Sequence, residues 1–230
     1  MSSPLRLSLE ARTTGLTLAA IAAVLVVLHI ATAVALFYKA LPFDDWRYAS
    51  FFDLDWEPSL GTWYAAVILL IAGQLLLLQT LFTRRAGNAW WPWWLVLCLG
   101  FHGMSLDEVA GFHEYLNTML SRVRWTTVGS AIALIVAVAY LPFLRALPAR
   151  TCWLFVLAGA IFIGGAIGVE SYTVRYELAK QLNTLPYNMW TALEEGMEMA
   201  GVILFIYALL DHMARGSGPI KLELGFISKR

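Results

Sequence analysis

Apolar residues do not alternate with polar ones along this chain. They gather in six long blocks, at about residues 15–37, 60–82, 90–119, 126–147, 152–178 and 189–210. A helix needs about 20 mostly apolar residues to cross a bilayer, and each block reaches that length. The pattern predicts an all-α, polytopic integral membrane protein with six transmembrane helices in one bundle. That bundle takes up residues 1–214, and residues 215–230 form a C-terminal tail. Pro42, Pro58, Pro148, Pro186 and Pro219 fall in or beside the connections, where helices stop. Pro92 falls in the first turn of the third helix, where proline fits without loss. The first block is too long for a signal-peptide core and no small-residue cleavage site follows it, so a retained helix is expected.

Composition narrows the class further. Of the 230 residues, 60% are hydrophobic and 14% charged, with a mean hydropathy of +0.67. Soluble domains run at roughly 45–50% apolar and about 25% charged. Six spans consume roughly 120 residues, which leaves little for a soluble domain. A secreted disulfide scaffold, a nucleic-acid binder and a disordered regulator are excluded. Net charge is zero, so no bulk field selects an acidic or basic partner. Cys98 and Cys152 both sit in apolar stretches, which speaks against a disulfide framework or a thiolate zinc site.

Positive charge sets the orientation. With the amino terminus inside, ten of the sixteen Lys and Arg residues fall on the cytoplasmic side and six outside. Both termini are then expected inside, and the inner (plasma) membrane of a bacterium is the expected location. The acids divide more sharply: only Glu10, Asp211 and Glu223 of sixteen belong to the inner side. Acidic residues contribute little to the orientation rule, so this skew needs another cause. Part of it is the first outer loop, from Phe43 to Pro58, where acids alternate with aromatics. That loop reads as an interfacial segment or, in a sharper reading, as a lid over an outward-facing pocket.

The more informative acids lie inside the spans. The third helix carries Asp107, Glu108, His113 and Glu114; the fifth carries Glu170 and Glu177; the sixth carries Glu194, Glu195 and Glu198. A charge near the bilayer centre costs about 2.5–3.5 kcal/mol even on the lenient insertion scale, so such groups face the bundle interior and need partners. At about 1.5 Å of rise per residue, His113, Glu114 and Glu194 lie about 8–9 Å deep, Glu170, Glu198 and His29 about 12–16 Å, and Asp107 about 18 Å. These groups share a slab in the outer half of the membrane. In an unbroken helix Asp107 and Glu114 share a face, and Glu108 is expected to point elsewhere, towards Arg122, Arg124 or a neighbouring helix. Leu106-Asp107-Glu108 also echoes Leu193-Glu194-Glu195.

Carboxylates packed in a low dielectric repel unless protons or cations lie among them. Asp107, Glu114, Glu170, Glu194, Glu195 and Glu198, with His113 and His29, match the ligand inventory of carboxylate-bridged di-metal sites in helix bundles, about four Glu and two His. The resemblance is to the inventory alone, because the Glu-x-x-His spacing of those sites is absent. A divalent metal is expected there, with iron favoured and zinc or manganese as alternatives. The implied function is a membrane-embedded metalloenzyme acting on a hydrophobic small molecule from the lipid bilayer, by oxidation or hydroxylation. A redox partner or a larger membrane complex is an expected associate. An ion or proton translocator and an accessory subunit with a structural acid cluster are the competing readings. Gly159, Gly164, Gly165 and Gly168 predict close packing of the fifth helix, which would carry Glu170 towards its neighbours.

Overall fold

The computed structural model describes residues 5–39, 50–56, 58–119, 124–217 and 220–224. Eight α-helices and two short strands are named here: β1 (Leu5–Leu9), α1 (Ala11–Phe37), α2 (Leu60–Arg85), α3 (Trp91–Ala110), α4 (Phe112–Met119), α5 (Trp125–Ala146), α6 (Ala149–Ile163), α7 (Glu170–Leu178), α8 (Leu185–Ser217) and β2 (Ile220–Leu224). A π-helical segment, Gly164–Val169, joins α6 to α7. Among the described residues, five helices are long and apolar enough to cross a membrane: α1, α2, α5, the continuous α6–α7 rod and α8.

The expected third span does not run unbroken over 90–119. It stops at Gly111, which takes a left-handed conformation (φ 60°, ψ 35°) and donates its N–H to the Asp107 carbonyl. A left-handed residue at this position ends a helix and satisfies a terminal carbonyl, and glycine adopts it without a Cβ clash. The chain then restarts as α4. The 20 residues of α3 still span about 30 Å, the thickness of a hydrocarbon core. His102, Ser105, Asp107 and Glu108 lower its hydropathy below that of the five apolar helices. The polar residues bind it to α2 instead: Ser105 Oγ donates to the Ala66 carbonyl at 2.8 Å, and Gln74 Nε2 lies 3.1 Å from His102 Nε2.

The core is built around α8, which packs on α1, α2, α6 and the π segment. Met199, Ile206, Ala208 and Leu209 of α8 are buried with Ile68, Ala72 and Leu76 of α2. The tryptophan run at the start of α3, which reads from sequence as an interface anchor, divides. Trp91 lies under the Arg84 guanidinium at 5.1 Å, as an anchor would. Trp94 is buried and packs edge-on against Phe143 and Phe155. Elsewhere α5 shows Leu134, Ile135 and Val138 outwards, the lipid-facing composition of a span.

At one end of the bundle Arg150 of α6 bonds both Asp211 and Tyr207 of α8, and Arg215 also pairs with Asp211. β1 and β2 meet there as an antiparallel two-stranded ribbon, Leu5 opposite Leu224 and Leu9 opposite Ile220. The hydropathy pattern gives no sign of this ribbon.

Candidate functional site

Three local devices deliver acids to one place. The first is the end of α3. Glu108 lies one turn before the Gly111 break, and its side chain lines a small internal cavity together with Glu198 of α8. Of the directions expected for Glu108, the structure takes the one towards a neighbouring helix.

The second device is the π segment. A π turn inserts an extra residue, rotates the helix beyond it, and is frequent at functional sites. Here it ends immediately before Glu170, the first residue of α7. Glu170 acts electrostatically on Glu198 across the helix interface. The third device is close backbone approach. A Cβ placed on Gly165 would lie 2.8 Å from the Glu194 carbonyl oxygen and 3.0 Å from Glu198 Cγ. At Gly201 it would meet Ala158 O, Phe162 N and Phe162 Cβ, all at 2.8 Å. Glycine at these two crossings lets the α6–π rod seat directly against the acidic stretch of α8.

The result is a cluster drawn from three helices. Glu195 interacts with Glu198, Glu108, Glu194 and Asp55, and Glu198 with Glu108, Glu194 and Glu170. Among the described residues, the charged groups acting on these two carboxylates are all acidic. The cavity between Glu108 and Glu198 measures about 10 Å³ and is otherwise walled by Ala65, Ile68, Leu69, Phe162, Met199 and Val202. That is close to the least space that holds one water.

A lid-like segment covers the cluster. Leu54 is buried, and its N–H donates to Nδ1 of His29 at 3.1 Å. The ring proton of His29 therefore sits on Nε2, which donates to the Asn188 carbonyl at 3.0 Å. One buried histidine thus ties α1, the 50–56 segment and the start of α8 together, and both its nitrogens are engaged by backbone. Asp53 Oδ1 stands 3.4 Å from Nδ1. Next to it, the Tyr187 hydroxyl donates to Asp55 at 2.9 and 3.1 Å from the two carboxylate oxygens. Asp55 and Tyr187 form the roof of the cluster. Asp55 lies in the acidic and aromatic loop singled out from the sequence, whereas Tyr187 carries no spacing signal there.

Other expected ligands fall differently. His113 and Glu114 lie on α4, and their side chains are outside the described residues. Asp107 is half-buried near the end of α3 and does not figure among the groups acting on Glu195 or Glu198. Glu177 leaves the cluster and pairs with Arg124 at 2.7 Å. Arg175 stacks on Tyr172 and Tyr176. His102 donates from Nδ1 to the Cys98 carbonyl at 2.7 Å and receives Gln74 at Nε2, so it braces α3 on α2. Among the described residues, no three His, Cys, Asp or Glu side chains are arranged to hold a metal ion.

Comparison with known proteins gives one match. A family model described as "Domain of unknown function (DUF8692)" matches residues 17–213, which contain every acid of the cluster. No curated protein and no solved structure matches the chain.

Proposed function

We propose a function for a chain that belongs to the family described as "Domain of unknown function (DUF8692)": it is a membrane-embedded enzyme whose acidic cluster binds a divalent cation and serves a reaction on a hydrophobic molecule arriving from the bilayer. The observation that carries this reading is the gathering of Glu108, Glu170, Glu194, Glu195 and Glu198 from three separate helices within electrostatic reach of one another, with Glu108 and Glu198 lining one small cavity. Ionised carboxylates this close repel, and a cation among them turns the repulsion into binding energy. Donors that are mostly oxygen fit a hard or borderline divalent ion, so iron or manganese suits the cluster better than zinc. Such an ion, held by these five glutamates with help from Asp107, His113 and Glu114, would supply Lewis acidity or oxygen chemistry to an oxidation. The described side chains do not by themselves form a three-ligand group, so binding would draw the five glutamates closer together.

Six spans with both termini cytoplasmic complete the proposal. The pairing of residues 5–9 with 220–224 supports it, because strands that bond to each other lie on the same side of the membrane. An even number of crossings is then required. The five apolar helices give an odd number, and α3, of bilayer length and packed along α2, supplies the sixth. The excess of Lys and Arg puts that side in the cytoplasm of a bacterial inner membrane.

Metal analysis tests the reading. Wild-type protein extracted in mild detergent should carry stoichiometric iron, manganese or zinc, and Glu108→Gln with Glu198→Gln should lose it while keeping the same elution volume. Absence of bound metal from the wild type, after reloading with each of the three ions, overturns the cation centre. A second reading, a proton relay, is favoured by the water-sized cavity between Glu108 and Glu198. Proton flux into proteoliposomes that vanishes in Glu198→Gln would replace the first reading with the second.

A further inference from the structure

The acidic cluster uses one side of α8. On the opposite side, α1 and α8 flank an open groove of about 570 Å³ that no part of the cluster occupies. Along α1 it runs from Arg12 to Val27, and along α8 from Tyr207 to Gly196. Fifteen residues of helix make it about 22 Å long. Its walls are apolar and its floor is made of small residues, among them Gly15, Ala19 and Ala200. Gly15 sits 3.5 Å, by its virtual Cβ, from the Tyr207 side chain, and Gly196 sits 3.7 Å from Val26.

Size decides what fits. The whole groove holds about 570 Å³, roughly a third of the volume of a helix of that length and 10 Å across. A helix with its side chains is about 10–12 Å across and does not enter. A single hydrocarbon chain, whose carbons contact neighbours at about 4 Å, does. The volume also lies within the roughly 300–1,000 Å³ of small-molecule sites.

Charge decides the headgroup. The walls are apolar along their length, and the mouth carries Arg12, which is exposed and has no ion-pair partner among the described residues. Beside it is the hydroxyl of Tyr207, which receives an N–H from Arg150 at 2.9 Å and so keeps its own hydrogen to donate. A guanidinium and a hydroxyl donor at the end of an apolar channel suit a phosphate oxygen. Arg12 stands three residues beyond the end of β1, at the ribbon end of the bundle, where a headgroup would lie. At the far end the groove is lined by Gly196, the residue after Glu195.

We infer that the α1–α8 groove binds one acyl or isoprenoid chain of a phosphate-bearing lipid, with the phosphate on Arg12 and Tyr207 and the chain running towards Gly196. The site stands whether or not the acidic cluster holds a metal.

The probe is a phosphatidic acid with a diazirine midway along one acyl chain, added to the full-length protein in vesicles of phosphatidylcholine. After illumination, labelled peptides should map to residues 12–27 and 196–207. Arg12→Glu should lower that labelling about five-fold or more, the worth of one arginine against an anionic lipid, and Arg12→Lys should restore most of it. Ala19→Phe, at an exposed position, should block the channel and abolish labelling beyond it. The uncharged diacylglycerol probe should label the groove less than the phosphatidic acid. Labelling spread evenly over lipid-facing helices such as α5, or indifferent to Arg12 and to the headgroup, would overturn the site. So would cross-linking that shows a second copy of the chain covering α1 and excluding the probe.

Discussion

The seating of the α6–π rod on α8 makes a graded prediction at four glycines. Alanine at Gly201 would bring its Cβ to 2.8 Å from Ala158 O, Phe162 N and Phe162 Cβ. Alanine at Gly165 meets the Glu194 carbonyl oxygen at 2.8 Å and two side-chain carbons of α8 at 3.0 and 3.2 Å. Carbon–oxygen contacts across packed backbones settle at about 3.3–3.6 Å, so the helices must part by roughly 0.5 Å or more at either crossing. Overpacking of this kind costs about 1–3 kcal/mol. Gly164 is tight only against Met197 Cε, the free end of a flexible side chain, and Gly168 has open space. At those two, alanine keeps its helix-propensity gain, about 0.5–1 kcal/mol over glycine. Unfolding in a fixed detergent, followed by tryptophan fluorescence, should therefore rank Gly201→Ala and Gly165→Ala well below wild type. Gly164→Ala should fall near wild type, and Gly168→Ala at or above it. For a chain of this size 1 kcal/mol shifts the midpoint by about 2–4 °C, so the gap is measurable. Equal destabilisation at Gly165 and Gly168 would refute the close crossing that brings Glu194 and Glu198 to the rod.

Other consequences are independent of that crossing. His29→Ala leaves the Leu54 N–H and the Asn188 carbonyl without their partner, at about 1–3 kcal/mol each, and hydrogen exchange should accelerate at residues 50–56 before anywhere in α2; unchanged exchange would contradict the clamp. Tyr187→Phe removes a bond to a carboxylate worth about 1.5–3 kcal/mol and should loosen the same segment while α1 stays protected, as read by the same exchange experiment. Glu198→Gln should raise thermal stability in metal-free buffer, because a neutral isostere relieves repulsion, and should lose the stabilisation that added Mn²⁺ gives the wild type; a loss of stability in both buffers would assign the cluster a purely structural role. Cysteines placed singly at Ser3 and Ser228 should both be shielded from an impermeant thiol reagent in spheroplasts, on a background lacking Cys98 and Cys152, and labelling of one alone would break the even-crossing topology.

How much was legible from the residues depended on the range of the physics involved. Spans are set by hydrophobic length, a local property, and five of the predicted blocks correspond to the helices that are long and apolar enough to cross. The third block misled because Gly111 looks like any other small residue in a helix. Its left-handed conformation makes the αL cap over Asp107 that ends α3. Of the fifth block's glycines, Gly164 and Gly165 lie close against α8, whereas Gly159 and Gly168 face open space. The π turn that aims Glu170 leaves no mark in the pattern. His29 reads from the sequence as a candidate metal ligand, whereas its ring nitrogens bond two backbone groups, Leu54 N–H and Asn188 C=O, that are distant in sequence. Asp55 and Tyr187 meet only after the chain folds over the end of the bundle remote from the β ribbon.

The central claim is that glutamates from α3, α7 and α8 share a cation. An anomalous-scattering map of crystals grown with Mn²⁺, recorded on both sides of the manganese edge, addresses it directly. A shared cation gives a peak between Glu108 and Glu198, within coordination distance of their oxygens, that disappears in Glu198→Gln crystals. A clean map at that position, with the carboxylates bonded to protein groups alone, would contradict it.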